Sequence, residues 1–149
     1  MKEIIDSLVN VSDEERYKKE KEILKEHGIR VSHQRLMVLD YLINNMDHPT
    51  ADDIYKSLKS KDPILSQATV YNTLNLFVDN HIVSELDFNE SRKRYDFYNK
   101  QHSHFICEDC GDILDLDVDI ENLKLEGLEG CKVNSVDITI RGKCPNCNK

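Results

Sequence analysis

Four cysteines fall in two pairs of identical spacing, Cys107-Glu-Asp-Cys110 and Cys144-Pro-Asn-Cys147, separated by residues 111–143. Two residues between thiolates let both sulfurs face one ion while the chain turns away after the second, and Gly111 suits that turn. Two such knuckles supply the four soft donors of a closed tetrahedral zinc site. Such a site is structural, because no coordination position remains for water or substrate. The competing chemistry is a thiol–disulfide redox pair, which sits where a strand of a βαβ unit enters a helix. Here strands are expected on both sides of the first knuckle, and the second lies at the end of the sequence. The fifth cysteine, Cys131, follows Gly130 at an expected strand start and reads as a small buried side chain.

A second group of donors is nitrogen and oxygen. His102 and His104 are two apart, and on an extended strand residues i and i+2 share a face, so both imidazoles can address one ion. Asp96 lies just upstream, Asp115 follows the first knuckle, and His48 stands far away before Pro49. Three imidazoles and two carboxylates would form a mixed site suited to manganese(II) or iron(II), whereas thiolates suit zinc. Residue type alone leaves two alternatives open. Asp112, Asp115, Asp117 and Asp119 also fit a solvated acidic strand face, and His48 also fits a turn before proline.

The elements that must position these groups change character along the chain. Residues 14–27 read as a helix of strong helix formers stopped by Gly28. Ser32 can cap a helix over 33–46 with Leu36, Leu39, Leu42, Ile43 and Met46 inward; His48-Pro49 breaks it. Thr50 caps a third over 51–60, with Ile54 and Leu58 inward, and Ser66 a fourth over 67–80, with Val70, Leu74, Phe77 and Val78 on one side. The period then becomes 2: residues 82–88 and 93–98 predict a hairpin through 89–92. Beyond residue 101 we expect strands near 104–107 and 112–117, a short helix near 119–126, and a strand through Val136, Ile138 and Ile140. The fold class is therefore α+β: an N-terminal winged helix-turn-helix domain over 1–98 and a smaller α/β domain over 99–149.

Composition bounds the partners. Apolar residues are 39% and charged residues 32%, which excludes a mainly disordered chain. No apolar run nears the roughly 20 residues that span a bilayer, so no membrane partner is expected. MKEIIDSLVN lacks the apolar stretch of a secretory signal, and a cytoplasmic location is expected. A net charge of −8 argues against a nucleic-acid binder, but it is unevenly spread. Residues 16–94 hold 13 basic and 12 acidic side chains, while residues 101–149 hold 5 and 10.

Five motifs stand in order: His33-Gln34-Arg35, His48-Pro49-Thr50-Ala51-Asp52-Asp53-Ile54-Tyr55, Ala68-Thr69-Val70-Tyr71-Asn72, His102-x-His104, and the cysteine knuckles. With these motifs, residues 16–148 resemble the ferric uptake regulator family, closest to its peroxide-responsive repressor branch. The resemblance implies a homodimer that binds a palindromic operator in double-stranded DNA, and a regulator rather than an enzyme. It implies structural Zn2+ on Cys107, Cys110, Cys144 and Cys147, and regulatory Fe2+ or Mn2+ on His48, Asp96, His102, His104 and Asp115. The aspartates at 96 and 115 carry the branch, since iron-uptake regulators more often have glutamate there. For DNA it implies base or sugar contacts from Tyr71 and Asn72, with phosphates positioned by Arg30, Gln34, Arg35 and Thr69. Peroxide sensing would proceed by metal-catalysed oxidation of His48 or His102. The alternative is an iron-, manganese- or zinc-responsive uptake regulator without peroxide sensing. Three positions depart from the family pattern: His33 in place of proline or another small helix-start residue, His81 in place of the usual glycine, and Cys131 in place of a common aromatic.

Overall fold

Each helix begins where a hydroxyl can cap it. In the computed structural model, which describes residues 7–87, 92–97, 103–119, 122–133 and 136–149, α1 spans Asp13–Glu26, α2 His33–Asn44, α3 Ala51–Lys59 and α4 Gln67–Asp79. Ser12, Ser32, Thr50 and Ser66 each accept the backbone N–H three residues on, which satisfies a donor the helix cannot pair internally. At Thr50 the arrangement is reciprocal. Asp53 N donates to Thr50 Oγ1 at 3.2 Å while Thr50 N donates to Asp53 Oδ2 at 2.9 Å, a complete capping box.

Two helices end in the same way with different residues. After α1, Gly28 N donates to Lys25 O and Ile29 N to Leu24 O. After α4, His81 N donates to Val78 O and Ile82 N to Phe77 O. Both are Schellman motifs, whose penultimate residue must be left-handed. Gly28 takes φ 69 readily, but His81 must take φ 57. The departure of His81 from glycine is thus a left-handed cap occupied by a residue with a Cβ.

The chain divides into two compact units, Met1–Asn99 and Lys100–Lys149. In the first, the apolar faces of α1–α4 meet in one core containing Leu24, Leu39, Leu42, Ile43, Ile54, Leu74 and Phe77. Leu8, in the helical turn at 7–9, joins it. An antiparallel hairpin follows, β1 (Ser84–Leu86) with β2 (Arg94–Asp96). Residues 49–50 run along its other side: Thr50 bridges Arg94, and Tyr95 N donates to Pro49 O at 3.0 Å. In the second unit, β3 (Ser103–Cys107) is central, antiparallel to β4 (Ile113–Leu116) and parallel to β5 (Thr139–Gly142).

Several expectations are corrected. Helix α2 ends at Asn44, because Asn45 leaves helical space (φ −129, ψ 87) on the way to Pro49, so Met46 is half-exposed instead of inward. The helix expected near 119–126 is absent from the described residues. Asn122 instead bonds back to the Asp119 carboxylate through its N–H (3.3 Å) and its amide (2.6 Å), a local closure that competes with helix. Val136 lies before β5, and Ile138, one residue ahead of its start, joins the sheet through its carbonyl, which accepts from His104 N at 3.0 Å. Cys131 is exposed beside the Leu128–Cys131 turn (Cys131 N to Leu128 O, 3.0 Å) and is not a buried strand residue. The expected loop at 89–92 lies, save Arg92, outside the described residues, as does His102.

Candidate metal centres

The parallel pairing of β3 with β5 brings the two knuckles together. Cys107 ends β3 opposite Gly142, the last residue of β5, and Cys144 follows two residues later. Each knuckle closes on itself: Gly111 N donates to Cys107 O, and Cys147 N to Cys144 O. Gly111 takes φ 76, the left-handed turn expected after the second sulfur. The four sulfurs all lie within 4.8 Å of one another, with Cys110 Sγ 3.8 Å from Cys144 Sγ. Metal–sulfur bonds of about 2.3 Å at tetrahedral angles put sulfurs about 3.8 Å apart. The donor set and spacing fit zinc, and in the four-thiol form the charge is poorly shared. Cys144 N donates to Cys107 Sγ at 3.3 Å; that bond and the neighbouring N–H groups hold the Cys107 thiol down at about 6. Cys144 first, with burial and Cys107 behind it, pushes Cys147 up to about 11 against the opposing pull of Cys110. A bound dication removes that conflict by compensating several thiolates at once.

The nitrogen and oxygen donors occur as one histidine–aspartate pair in each unit. In the first, the Thr50–Arg94 bridge sets a register that places His48 opposite Asp96, and Nε2 lies 3.7 Å from Oδ2. Both side chains are buried. His48 holds φ 54, which is sparsely populated outside glycine and worse before proline. Such strain persists only where the surroundings fix it. Here Arg94 Nη1 donates to His48 O at 3.3 Å and Tyr95 N to Pro49 O at 3.0 Å. In the second unit His104 and Asp115 are direct partners across β3 and β4, with Nε2 3.6 Å from Oδ1. Both separations exceed a hydrogen bond. They match two donors that each reach one ion at about 2.0–2.2 Å. The acidic strand face considered from the sequence does not form, since β4 ends at Leu116, before Asp117 and Asp119.

The family model for the ferric uptake regulator family matches residues 26–141. The chain belongs to the ferric uptake regulator family. A peroxide operon regulator from Bacillus subtilis is 44% identical over 132 residues, covering 86% of this chain and 90% of that one. A peroxide-responsive repressor PerR from Staphylococcus epidermidis is 40% identical, covering 85% and 86%. Among solved structures, the Helicobacter pylori ferric uptake regulator, described as having three functional metal-binding sites, is 28% identical with TM-score 0.75 over 97% of this chain and 94% of that one. The peroxide-sensing PerR from Streptococcus pyogenes is 40% identical with TM-score 0.51, covering 88% and 92%. The α+β architecture is thus that of the ferric uptake regulators.

On this family scaffold, the residues expected at DNA gather where α2 and α4 begin. Ser32, Gln34, Arg35, Thr69, Asn72 and Thr73 line one polar depression of about 210 Å³. Two helix N-termini and a guanidinium there favour an anion. Arg30 is exposed and does not line the depression; its carbonyl accepts from Arg35 Nη1 at 2.6 Å. Tyr71 is 46% exposed, unlike a helix-packing aromatic, and lines a neighbouring cleft with Arg92, Lys93 and Tyr95. Arg94 is a residue that sequence reasoning misses. Its role depends on a partner 46 residues away, and no local pattern signals that.

Proposed function

We propose that the chain is a homodimeric, metal-dependent repressor of the peroxide-responsive branch, with DNA read by the first unit and dimerisation by the second. The observation that carries it is the pair of histidine–aspartate couples, His48 with Asp96 and His104 with Asp115, spaced for chelation and built with aspartate at both carboxylate positions. The relatives named for peroxide regulation support the same reading.

Zinc on Cys107, Cys110, Cys144 and Cys147 holds β3 to β5. One regulatory ion on His48, Asp96, His102, His104 and Asp115 ties the first unit to the second. The ion must bind the DNA-competent arrangement more tightly than any other, since only differential affinity shifts an equilibrium. Without it, the aspartates repel and the strained His48 turn has less to hold it. The winged helix then presents Tyr71 and Asn72 to base edges in a major groove, with Gln34, Arg35 and Thr69 at phosphates and Arg30 near them. Dimerisation is supported by a cross-strand row on one face of the second sheet. Leu114, Phe105 and Ile140 are in register, and Leu114 and Ile140 are 45% and 46% exposed, an apolar surface suited to a second copy.

Iron(II), when held by these residues, would supply the redox chemistry that cleaves peroxide; the imidazole of His48 or His102 would give up two electrons and gain one peroxide oxygen, and the other oxygen would leave as water. An oxidised imidazole is a poor donor, and the repressor releases DNA. Manganese(II) supports repression without this reaction. The protein is consumed once per event, which distinguishes a sensor from an enzyme.

The test is binding to a palindromic operator without added metal, with manganese(II) and with iron(II), each before and after dilute peroxide. Metal-dependent binding lost to peroxide only with iron, with one added oxygen on a His48 or His102 peptide, is expected. Metal-dependent binding indifferent to peroxide moves the chain to a metal-uptake role. Failure to bind under every condition overturns the regulatory reading.

A further inference from the structure

Glu20 is a buried ionisable side chain for which metal binding and DNA recognition have no use. It sits in the middle of α1 and is 2% exposed. Arg16, one turn earlier, is committed elsewhere. Its Nη2 donates to Asp13 Oδ1 at 2.6 Å and its Nε to Asp40 Oδ1 at 2.8 Å. Its Nε is 3.9 Å from Glu20 Oε1, beyond a hydrogen bond. Glu20 Oε1 has no hydrogen-bond partner among the described residues. Across the seam, α2 presents Asp40, whose Oδ1 also accepts from Asn44 Nδ2 at 2.9 Å. One guanidinium therefore serves three carboxyl groups, and the innermost receives least.

The other groups facing this seam do not supply the missing charge. From α1 these are Asp13, Arg16 and Tyr17; from α2, His33, Asp40 and Tyr41; beyond α3, Lys61. A fully ionised Glu20 would be a desolvated anion beside a second anion, which is far costlier than a shared proton.

We propose that Glu20 and Asp40 hold one proton between them across the α1–α2 seam, so that α1 is docked on α2 by a proton that alkaline conditions remove. Burial first, then the charge and hydrogen bond of Asp40, push Glu20 up to about 8 against the opposing pull of Arg16. The sign follows by linkage. A group whose folded value is raised binds its proton more tightly in the native state. Its stabilising effect is complete below the unfolded value, roughly 4.3 for glutamate, and is lost as pH rises through the folded value. The inference concerns the packing of α1 on α2 and stands whether or not α2 touches DNA.

The test compares the wild type with Glu20→Gln, a neutral isostere that keeps a donor for Asp40, by thermal unfolding of the full metal-loaded chain from about pH 6 to about pH 9. Differencing the two proteins cancels the pH dependence of metal binding. Relative to the wild type, Glu20→Gln is expected to gain stability progressively as pH rises from about 6 and to level off above about pH 8. A difference that stays constant or falls across the range overturns the proposal. Carboxyl carbon resonances of the unmodified protein give a second readout that needs no variant. A Glu20 midpoint near neutrality or above supports the shared proton, and a midpoint in the ordinary carboxylate range overturns it.

Discussion

The Arg94 guanidinium donates to the His48 carbonyl at 3.3 Å, and His48 is one of two non-glycine residues with positive φ among those described. The hairpin thus grips the backbone of a ligand candidate whose conformation is otherwise disfavoured. Arg94→Ala should weaken the regulatory metal about 10-fold or more, as loss of a residue that orients a ligand commonly does. Zinc content should stay unchanged. His48→Ala should abolish metal-dependent operator binding. Manganese(II) titration followed by fluorescence anisotropy with operator DNA checks both, and an Arg94→Ala variant with wild-type metal affinity would deny the grip any role.

The cysteine site should be a condition of folding for the second unit. Cys107→Ser or Cys144→Ser removes one of the two buried sulfurs of the cluster and unpins β3 from β5. The expected result is loss of about one zinc per chain and loss of the dimer, because structural zinc contributes on the order of 10 kcal/mol where no site preforms without it. Metal analysis with sedimentation measures this. A zinc-free dimer would place the stability elsewhere.

The apolar row through Leu114, Phe105 and Ile140 gives a separate test of assembly. Leu114→Asp with Ile140→Asp puts two charges onto exposed positions, so folding of a monomer costs little, while burial against a second copy costs several kcal/mol. Sedimentation should show monomers with zinc retained. An intact dimer would move the interface off this face.

The capping box predicts an acid-sensitive start to α3. Hydrogen bonds from the Thr50 side chain and then its backbone hold the Asp53 carboxyl below the usual carboxylate range. A folded value below the unfolded one, about 3.9, gives stability that is present above that value and lost as pH falls through the folded one. Thr50→Ala should cost about 1–2 kcal/mol near neutrality. It should also flatten the acid limb of the urea midpoint against pH.

At the end of α4, His81 holds a left-handed cap with φ 57. Relief of the backbone strain exceeds the extra flexibility of glycine in the unfolded chain, so His81→Gly should gain about 0.5–1 kcal/mol. His81→Val should lose about 1–2 kcal/mol. Urea unfolding at constant m decides it, and a destabilised glycine variant would show that the imidazole itself is needed.

Local chemistry wrote much of this structure into the sequence. Ser32, Thr50 and Ser66 cap the helices they precede because a hydroxyl reaches an N–H three residues on, a range wholly inside the motif. The knuckles declare shared chelation because two residues fix the distance between sulfurs. Helical spacing placed Ile54, Leu58, Leu74 and Phe77 inward, and they are buried. The same rules failed at Met46 and near 119–126, where a strained turn before Pro49 and a local Asp119–Asn122 closure outweighed periodicity.

What spacing could not reach is pairing across distance. That β5 lies parallel to β3, so that Cys144 meets Cys107, depends on a sheet register no local pattern encodes. The same holds for residues 49–50 joining the hairpin and setting His48 against Asp96. The sequence by itself determined the donors, the caps and the family. Only the tertiary structure decided which donors face each other, that Cys131 is exposed, and that Glu20 is buried on the seam that Asp40 also lines. Those outcomes belong to packing between segments distant in the chain, where the energy of contact, and not the preference of any single residue, selects the arrangement.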